Sequence, residues 1–594
     1  MKFLFFIVLS GLLILLIALG FVAFRVLRNK AETRSKRQGC VTLGCFTITA
    51  VAACLVGALG ACCWLPGLVL PSILGIEPQP RPSPQVVHGP TETPVAEPSP
   101  VISYPEAAQQ FAASMIPEER PALERLDDPP RYTFDVSVLW DQAIVAGRER
   151  LVWTNNEPVP LGEIVLRLYP NAPYYQEGNL EVGAVEVDGA PAQFALGQDS
   201  TVLTVTLPSP VLPELQADVT LDFTVTVPSR PDRFGVYQDV MVLGHWYPQL
   251  SVYDHTGWHT EPYIPQGDAF YSEASSFTLN LTLPASLTVA STGIETARRA
   301  NADGSLTMTY QSGAARDLAV VLSPILETIS TTVGQSTINS FYLPDDQAGG
   351  QQALDVAAGS VQTYNRLFGL YPYTDLDVVE GHFLIGGTPG GMEFSGLVLI
   401  SSEFYASQGS YTTLDMPAMV VSHEVAHQWW YAVIGDDEVA DPWLDEAFAV
   451  YSSILYFEEE QGKRTAEVQL LENCTLPYRL VAWAGGDRPI ATSLLEFDDT
   501  LTYSAIVYGK GGLFLHRLRE TLGDEQFLGL LQSYYTQFKY RVVRPNDFYT
   551  AVMNATGDVA LKKAAARLYD DWVLGATGEP ISLDDLRDLL ELLK

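Results

Sequence analysis

Val420-Val421-Ser422-His423-Glu424-Val425-Ala426-His427-Gln428-Trp429-Trp430 is the stretch around which the chain is organised. On an α-helix, positions four apart share a face, so His423 and His427 can direct both imidazoles at one cation while Glu424 stands beside them. Two neutral nitrogen donors, with a carboxylate able to take a proton from a metal-activated water, form the donor set of a hydrolytic zinc centre. Chance is a poor explanation. With 8 His and 70 acidic residues among 594, a His-acid-x-x-His run arises in about one chain in eighty of this composition.

A catalytic zinc needs a third protein donor and an open fourth position. Asp441-Pro442-Trp443-Leu444-Asp445-Glu446-Ala447-Phe448-Ala449 starts like a helix, with Asp441 as N-cap and Pro442 in the first turn. Glu446 then falls in the early helix, 19 positions after His427, where an antiparallel helix can present it to the metal. His423, His427 and Glu446 are therefore the expected ligands of one Zn2+ per chain, with Glu424 as general base. The helix carrying the histidines is expected from about Asp415 to Ile434, with Gly435 as its stop.

His423-Glu424-x-x-His427 followed after eighteen residues by Glu446, inside Trp443-Leu444-Asp445-Glu446-Ala447, resembles the aminopeptidase N family of gluzincin metallopeptidases. Two further motifs agree. Gly390-Gly391-Met392-Glu393-Phe394 is similar to that family's Gly-Ala-Met-Glu-Asn exopeptidase motif, and Tyr508-Gly509-Lys510-Gly511 resembles its Tyr-x-Lys-Gly segment. The resemblance spans roughly residues 125 to 580. It implies that Tyr508 steadies the oxyanion, with Tyr503 as the nearby alternative. It also implies that Glu393 pairs with the α-ammonium of a substrate that approaches along Gly390, Gly391 and Met392. Phe394 stands where the family has Asn, and no counterpart of the second amine-holding residue is evident.

The N-terminus reads as a membrane hairpin. Phe3 to Phe24 is an uncharged run of 22 residues, and a second runs from Val41 to Ile76. Residues 1–76 are thus expected to form two transmembrane helices. The loop between them, 25–40, carries Arg25, Arg28, Lys30, Arg34, Lys36 and Arg37 against Glu32, which makes it cytoplasmic and places everything after residue 76 outside. The stretch 77–104 is proline-rich, a semi-extended spacer. Five of the six cysteines lie within or beside the second apolar run, leaving Cys474 without an internal partner. That suits a prokaryotic envelope better than an animal cell surface. The expected location is the cell membrane, multi-pass, with the catalytic part extracytoplasmic.

Seven of the 35 basic residues and one of the 70 acidic ones lie in the first 76, which leaves 28 against 69 and a net charge of −41 beyond them. Such a surface excludes nucleic acid as a partner. Tyr132, Phe134, Val136, Val138 and Trp140 alternate with polar residues, as do Phe277, Leu279, Leu281 and Leu283, and Leu221 to Val227 is equally β-rich. Residues 105–325 are therefore expected to form an all-β domain, saddle-shaped by the resemblance. Residues 326–594 are expected to form, as the resemblance implies, a thermolysin-like α/β catalytic domain, with helices over Ala353–Phe368, Ser504–Leu522, Glu525–Phe538, Asn546–Asn554 and Leu561–Leu574. Leu376–Val379 reads as a strand, and Gly391–Ile400 as one running along the site. The large C-terminal helical domain of full-length aminopeptidases has no counterpart before Lys594.

The function this implies is a membrane-anchored zinc metallopeptidase removing N-terminal residues from peptides. The alternatives are an endopeptidase of the same clan with an open cleft, or a noncatalytic ectodomain that retains the fold. His382 lies just before the Gly-rich motif. His245, His255 and His259 cluster without a recognisable metal spacing, and His516 reads as packing.

Overall fold

In the computed structural model, which describes residues 104–577 apart from 198, 386–387 and 407–414, the alternating runs of the first half pair into an eight-stranded sheet. Its strand order is Ile294–Ala300, Ser305–Ala315, Ser275–Pro284, Arg131–Leu139, Ile144–Thr154, Gln216–Thr226, Asn179–Val187 and Ala190–Pro191. Gln216–Thr226 shows why: Ala217, Val219, Leu221, Phe223 and Val225 are buried while the residues between them are half-exposed, the period-2 signature of a sheet with one face on a core. Tyr132 stacks on Phe277 at 5.0 Å, and Phe134 meets Tyr247 edge-on at the same distance. Trp246 and Tyr247 are fully buried there.

The two expected membrane helices and their basic loop lie outside the described residues, as does the spacer up to residue 103. Among the described residues no helix is long and apolar enough to cross a membrane. Tyr104, assigned above to the spacer, instead opens the helix Tyr104–Phe111 and is buried. The lead-in then bridges to the catalytic half, where Ile116 N–H donates to Pro372 O and Thr374 N–H to Ser114 O.

The second half begins with a five-stranded sheet in the order Glu327–Val333, Ser336–Tyr342, Asp375–Gly381, Leu397–Ser401 and Gly391–Met392. Helix Gln347–Leu367 makes the crossover between two parallel strands, Ser336–Tyr342 and Asp375–Gly381. The expected strand Gly391–Ile400 is two strands. Gly391 pairs with Ile400 and Met392 with Leu399, and the chain reverses between them through Gly396 at φ +69°. A left-handed glycine closes the turn, which puts Glu393 at its tip rather than along a strand.

The histidine helix is also shorter than the apolar pattern suggests: it runs from Met416 to Ala426, capped by the Asp415 carboxylate on Ala418 N–H. After it the chain unwinds into wide turns, with Ala432 N–H on His427 O and Ile434 N–H on Trp429 O. Tyr431 sits at φ +146°, a strained position for a bulky side chain. Arg316 explains how it is held. Its buried guanidinium donates to the carbonyls of Tyr431, Ser272, Val433 and Arg541, and the Tyr431 hydroxyl bonds Asp317. Gly435 is there for room and not as a helix stop, since a Cβ on it would lie 2.1 Å from Arg316 Cζ. The following helix is Trp443–Gln461, preceded by Pro442 with no side-chain cap, so Asp441 is not the N-cap expected of it.

Downstream helices fall close to expectation at Asp524–Phe538, Pro545–Asn554 and Val559–Trp572. The span Ser504–Leu522 is not one regular helix. Thr500–Ser504 and Gly511–Leu522 are joined by a π-helical turn, Ala505–Lys510, that contains Tyr508. The buried Lys510 braces this turn through Asp487 and the carbonyls of Arg488 and Gly575.

His259 closes the seam between the two halves. It lies 3.2 Å from Asp254 on one nitrogen and, on the other, 3.2 Å from Glu261 and 3.8 Å from Asp437. The hydrogen bond to Glu261, outweighing burial, raises its pKa above the ordinary histidine value. A group raised on folding stabilises fully below its unfolded pKa of about 6.5 and stops doing so as pH rises through its folded value. The Tm difference between the natural chain and His259→Gln is therefore expected to be larger at pH 6 than at pH 9, by roughly 2 °C. Equal differences in thermal melts at both pH values would remove the ion pair from the seam.

Candidate active site

The two helices bring His423, His427 and Glu446 together as their spacing requires. Nε2 of His423 and Nε2 of His427 are 3.1 Å apart, and Glu446 Oε2 lies 3.2 Å from the first and 3.3 Å from the second. Donors about 2.0–2.1 Å from a tetrahedral zinc are separated by about 3.3 Å, so the three atoms already stand at the vertices of such a site. His427 Nδ1 is 3.0 Å from Trp430 O. That contact places the proton on Nδ1 and leaves the Nε2 lone pair facing the other donors.

The electrostatics also call for a cation here. Burial works to raise Glu446, but hydrogen bonds from His423 and His427 outweigh it and hold its pKa at about 2. Burial favours a neutral His427, yet Glu393 and Glu446 overcome it and push that pKa to about 10. The surrounding carboxylates draw in positive charge, which a divalent ion supplies without protonating the ligands. The three residues thus fit zinc in donor type, spacing and field.

Glu424 is 5% exposed and burial pushes its pKa up to about 8. It lies against the backbone of Gly391, where a Cβ would fall 2.3 Å from its Oε1. Gly391 therefore gives its space to the carboxylate. Gly391–Met392 is the outermost strand of its sheet. Gly390 N–H bonds Ser401 Oγ, and Met392 Sδ receives Arg233 Nη1 at 3.4 Å.

Glu393, at the hairpin tip, is fully buried, and burial first and Asp268 second raise its pKa. Its donor atoms lie within 4.8 Å of those of Asp268 and Glu446, and equally of Glu424 and His427. Gln428, next to the second histidine, fixes the hairpin from both sides, donating to Phe394 O at 3.1 Å and accepting Gly396 N–H at 2.8 Å.

Sequence reasoning missed Gln428 and Asp268. Asp268 arrives from the β-rich half, buried and paired with Arg233. It is the second acid near Glu393, and neither periodicity nor a motif marks it. Tyr508 donates its hydroxyl to Glu446 Oε1 and stacks on His423 with ring centres 5.8 Å apart. Tyr503 packs edge-on against Tyr508 and abuts Gly267; of the two tyrosines, Tyr508 is the one hydrogen-bonded to Glu446. His423 and Tyr508 are partly exposed, so the site opens on their side. Among the described residues no convergent donor group contains His245, His255, His259, His382 or His516.

Residues 352–572 match the peptidase family M1 domain. Aminopeptidase 2, mitochondrial, of Saccharomyces cerevisiae is 29% identical over 226 residues, 37% of this chain and 23% of that protein. Probable aminopeptidase 2 of Sulfurisphaera tokodaii is 27% identical over 262 residues, 42% of this chain and 31% of that protein. The matched stretch thus spans about a quarter to a third of these curated relatives. An M1 zinc metallopeptidase from Deinococcus radiodurans shares the fold at TM-score 0.58 and 22% identity, covering 76% of this chain and 96% of its own. A mutant of the Deinococcus enzyme has been solved with a Tyr-Ser-Ala substrate, TM-score 0.54.

Gly391→Ala is expected to retain metal content while lowering kcat by about 10²-fold, because its methyl group displaces the Glu424 carboxylate from its place. Zinc analysis beside steady-state kinetics checks both halves; unchanged kcat would mean that the contact does not set the position of Glu424.

Proposed function

Because residues 352–572 match the peptidase family M1 domain, we propose that the chain is a zinc metallopeptidase of that family and hydrolyses the N-terminal residue from peptides, with zinc held by His423, His427 and Glu446. The observation that carries this reading is the short reach from Glu393 and Asp268 to Glu446, with donor atoms within 4.8 Å. Across one residue the amino nitrogen and carbonyl carbon are about 2.5 Å apart. An ammonium seated between the two carboxylates therefore puts the first peptide bond, and not the second, beside the metal donors.

When bound, the metal supplies Lewis-acid polarisation of the scissile carbonyl and a nucleophile at neutral pH. Glu424 receives the proton of the attacking water and returns it to the departing amine nitrogen. Tyr508 turns its hydroxyl from Glu446 Oε1 to the oxyanion that develops on the carbonyl oxygen. Glu393 and Asp268 hold the α-ammonium by charge-assisted hydrogen bonds, while Arg233 keeps Asp268 in place. The outer edge of Gly391–Met392 offers backbone groups along which the peptide can lie.

Cell-membrane attachment is part of the proposal and rests on the two uncharged N-terminal runs and the basic loop between them. The catalytic half would then work on extracytoplasmic peptides. The chain is expected to stay with membranes through a carbonate wash and to be digested by protease added to intact cells. Release by carbonate would remove the anchor.

Hydrolysis of free and N-acetylated peptides by the purified chain tests the central reading. Free N-termini are expected to be preferred by about 10²-fold or more. Glu424→Gln should lower kcat by about 10²–10⁴, and Glu393→Gln should lower kcat/KM by about 10–10² through loss of the ammonium contact. Equal cleavage of acetylated peptides would leave zinc hydrolysis standing and point to an endopeptidase.

A further inference from the structure

Behind the hairpin tip lies a second group of acids, of which the proposed reaction uses only Glu393. Glu393, Glu438 and Asp445 are 3%, 2% and 1% exposed, and their donor atoms all lie within 4.8 Å of one another. Each retains one carboxylate oxygen without a hydrogen-bond partner: Oε1 of Glu393, Oε1 of Glu438 and Oδ2 of Asp445. The other oxygens of Glu438 and Asp445 are used conventionally, accepting Phe270 N–H at 3.2 Å and Glu446 N–H at 2.6 Å.

A separate residue shows the same deficit. Asp436, two positions before Glu438, is 4% exposed with both carboxylate oxygens unpartnered, and it is the leading negative neighbour of Asp445. None of the four acids belongs to an ion pair among the described residues. Two buried guanidiniums in this part of the fold are committed elsewhere, Arg233 to Asp268 and Arg316 to four backbone carbonyls. Buried carboxylates are retained when they are paired or coordinate a metal.

We propose that Glu393, Glu438 and Asp445, with Asp436 beside them, form a second cation site, distinct from the His423–His427–Glu446 centre, that holds a calcium ion. The donors are all carboxylate oxygens, with no imidazole or thiolate, which selects a hard cation over zinc. Calcium bonds oxygen at about 2.3–2.6 Å, so its opposed ligands stand about 5 Å apart, which the observed span accommodates. Calcium also tolerates irregular coordination, whereas magnesium demands a near-ideal octahedron and keeps its waters, a poor match to so buried a cluster. Glu393 is shared with the Asp268–Glu446 group, so the ion joins the hairpin tip to the loop before the Glu446 helix.

The test is metal analysis and thermal melting of the full chain purified in detergent, stripped with a calcium chelator, reloaded with calcium chloride and gel-filtered. About one calcium per chain beside about one zinc is expected, with a Tm several degrees above that of the calcium-free chain. Glu438→Gln and Asp445→Asn should lose the calcium and the Tm response while keeping zinc; the milder Asp436→Asn should weaken calcium binding at least tenfold. Zinc alone in the natural chain, with no Tm response to calcium, overturns the proposal and assigns protons to these acids. Calcium retained by all three variants overturns it as well. Peptide hydrolysis in the same samples keeps the two readings apart, since a chain that binds no calcium yet still prefers free N-termini refutes only the second site.

Discussion

The structure is arranged around the problem of keeping negative charge in a dry interior. Glu393, Glu424, Glu438, Asp445, Glu446, Asp268 and Asp436 are all at most 7% exposed, and desolvation alone opposes ionising every one of them. Their neutralisation recruits parts of the chain far apart in sequence. Arg233 and Asp268 come from the β-rich half, the histidines and Glu446 from two successive helices, and Glu393 from a hairpin. The two halves of the molecule are therefore bound to each other by the requirements of the site as well as by their apolar seam. A zinc ion adds two positive charges to this interior, so metal binding and folding are expected to be coupled.

Much of this was legible in the sequence, for physical reasons that differ by element. The β-rich half announced itself through alternation at Tyr132 to Trp140 and Phe277 to Leu283, because one sheet face must meet the core. The convergence of His423 and His427 was legible because helical geometry makes a spacing of four equivalent to a shared face. Boundaries were misread where tertiary contacts override local pattern. The run from Val420 to Ile434 is apolar enough to continue as helix, but Arg316 collects the carbonyls of Tyr431 and Val433 and the chain unwinds to supply them. Gly435 looked like a helix stop and is a space for that guanidinium. Asp268 and Gln428 were illegible because their meaning depends on pairing with Glu393 and its hairpin across the fold, which no local period encodes.

Tyr508 illustrates a different limit. Its residue type and glycine context were readable, but the π-helical turn that carries it was not. One extra residue in a turn rotates the positions that follow relative to those before it. Tyr508 thereby points at Glu446 while Tyr503, five residues earlier, packs against Gly267. Lys510 holds that turn open, since its ammonium has its partners in Asp487 and two carbonyls rather than in solvent. The lysine of the motif is thus a brace for the tyrosine.

The glycines of the hairpin follow from the same steric logic. If Gly391 had a side chain, Glu424 and the edge strand could not approach each other, and the Glu424 carboxylate would separate from Glu393 at the turn. Gln428 works from the opposite side, gripping Phe394 O and Gly396 N–H from the end of the helix that carries Glu424. Glu424 and Glu393 are therefore located by one pair of elements, the histidine helix and the hairpin, held to each other through Gln428. In such an arrangement the separation between Glu393 and Glu424 is set by backbone packing and not by what binds between them. Under the proposed reading, selectivity for side chains then arises from surfaces farther out, while the choice of the first peptide bond follows from the reach of Glu393 and Asp268 to Glu446.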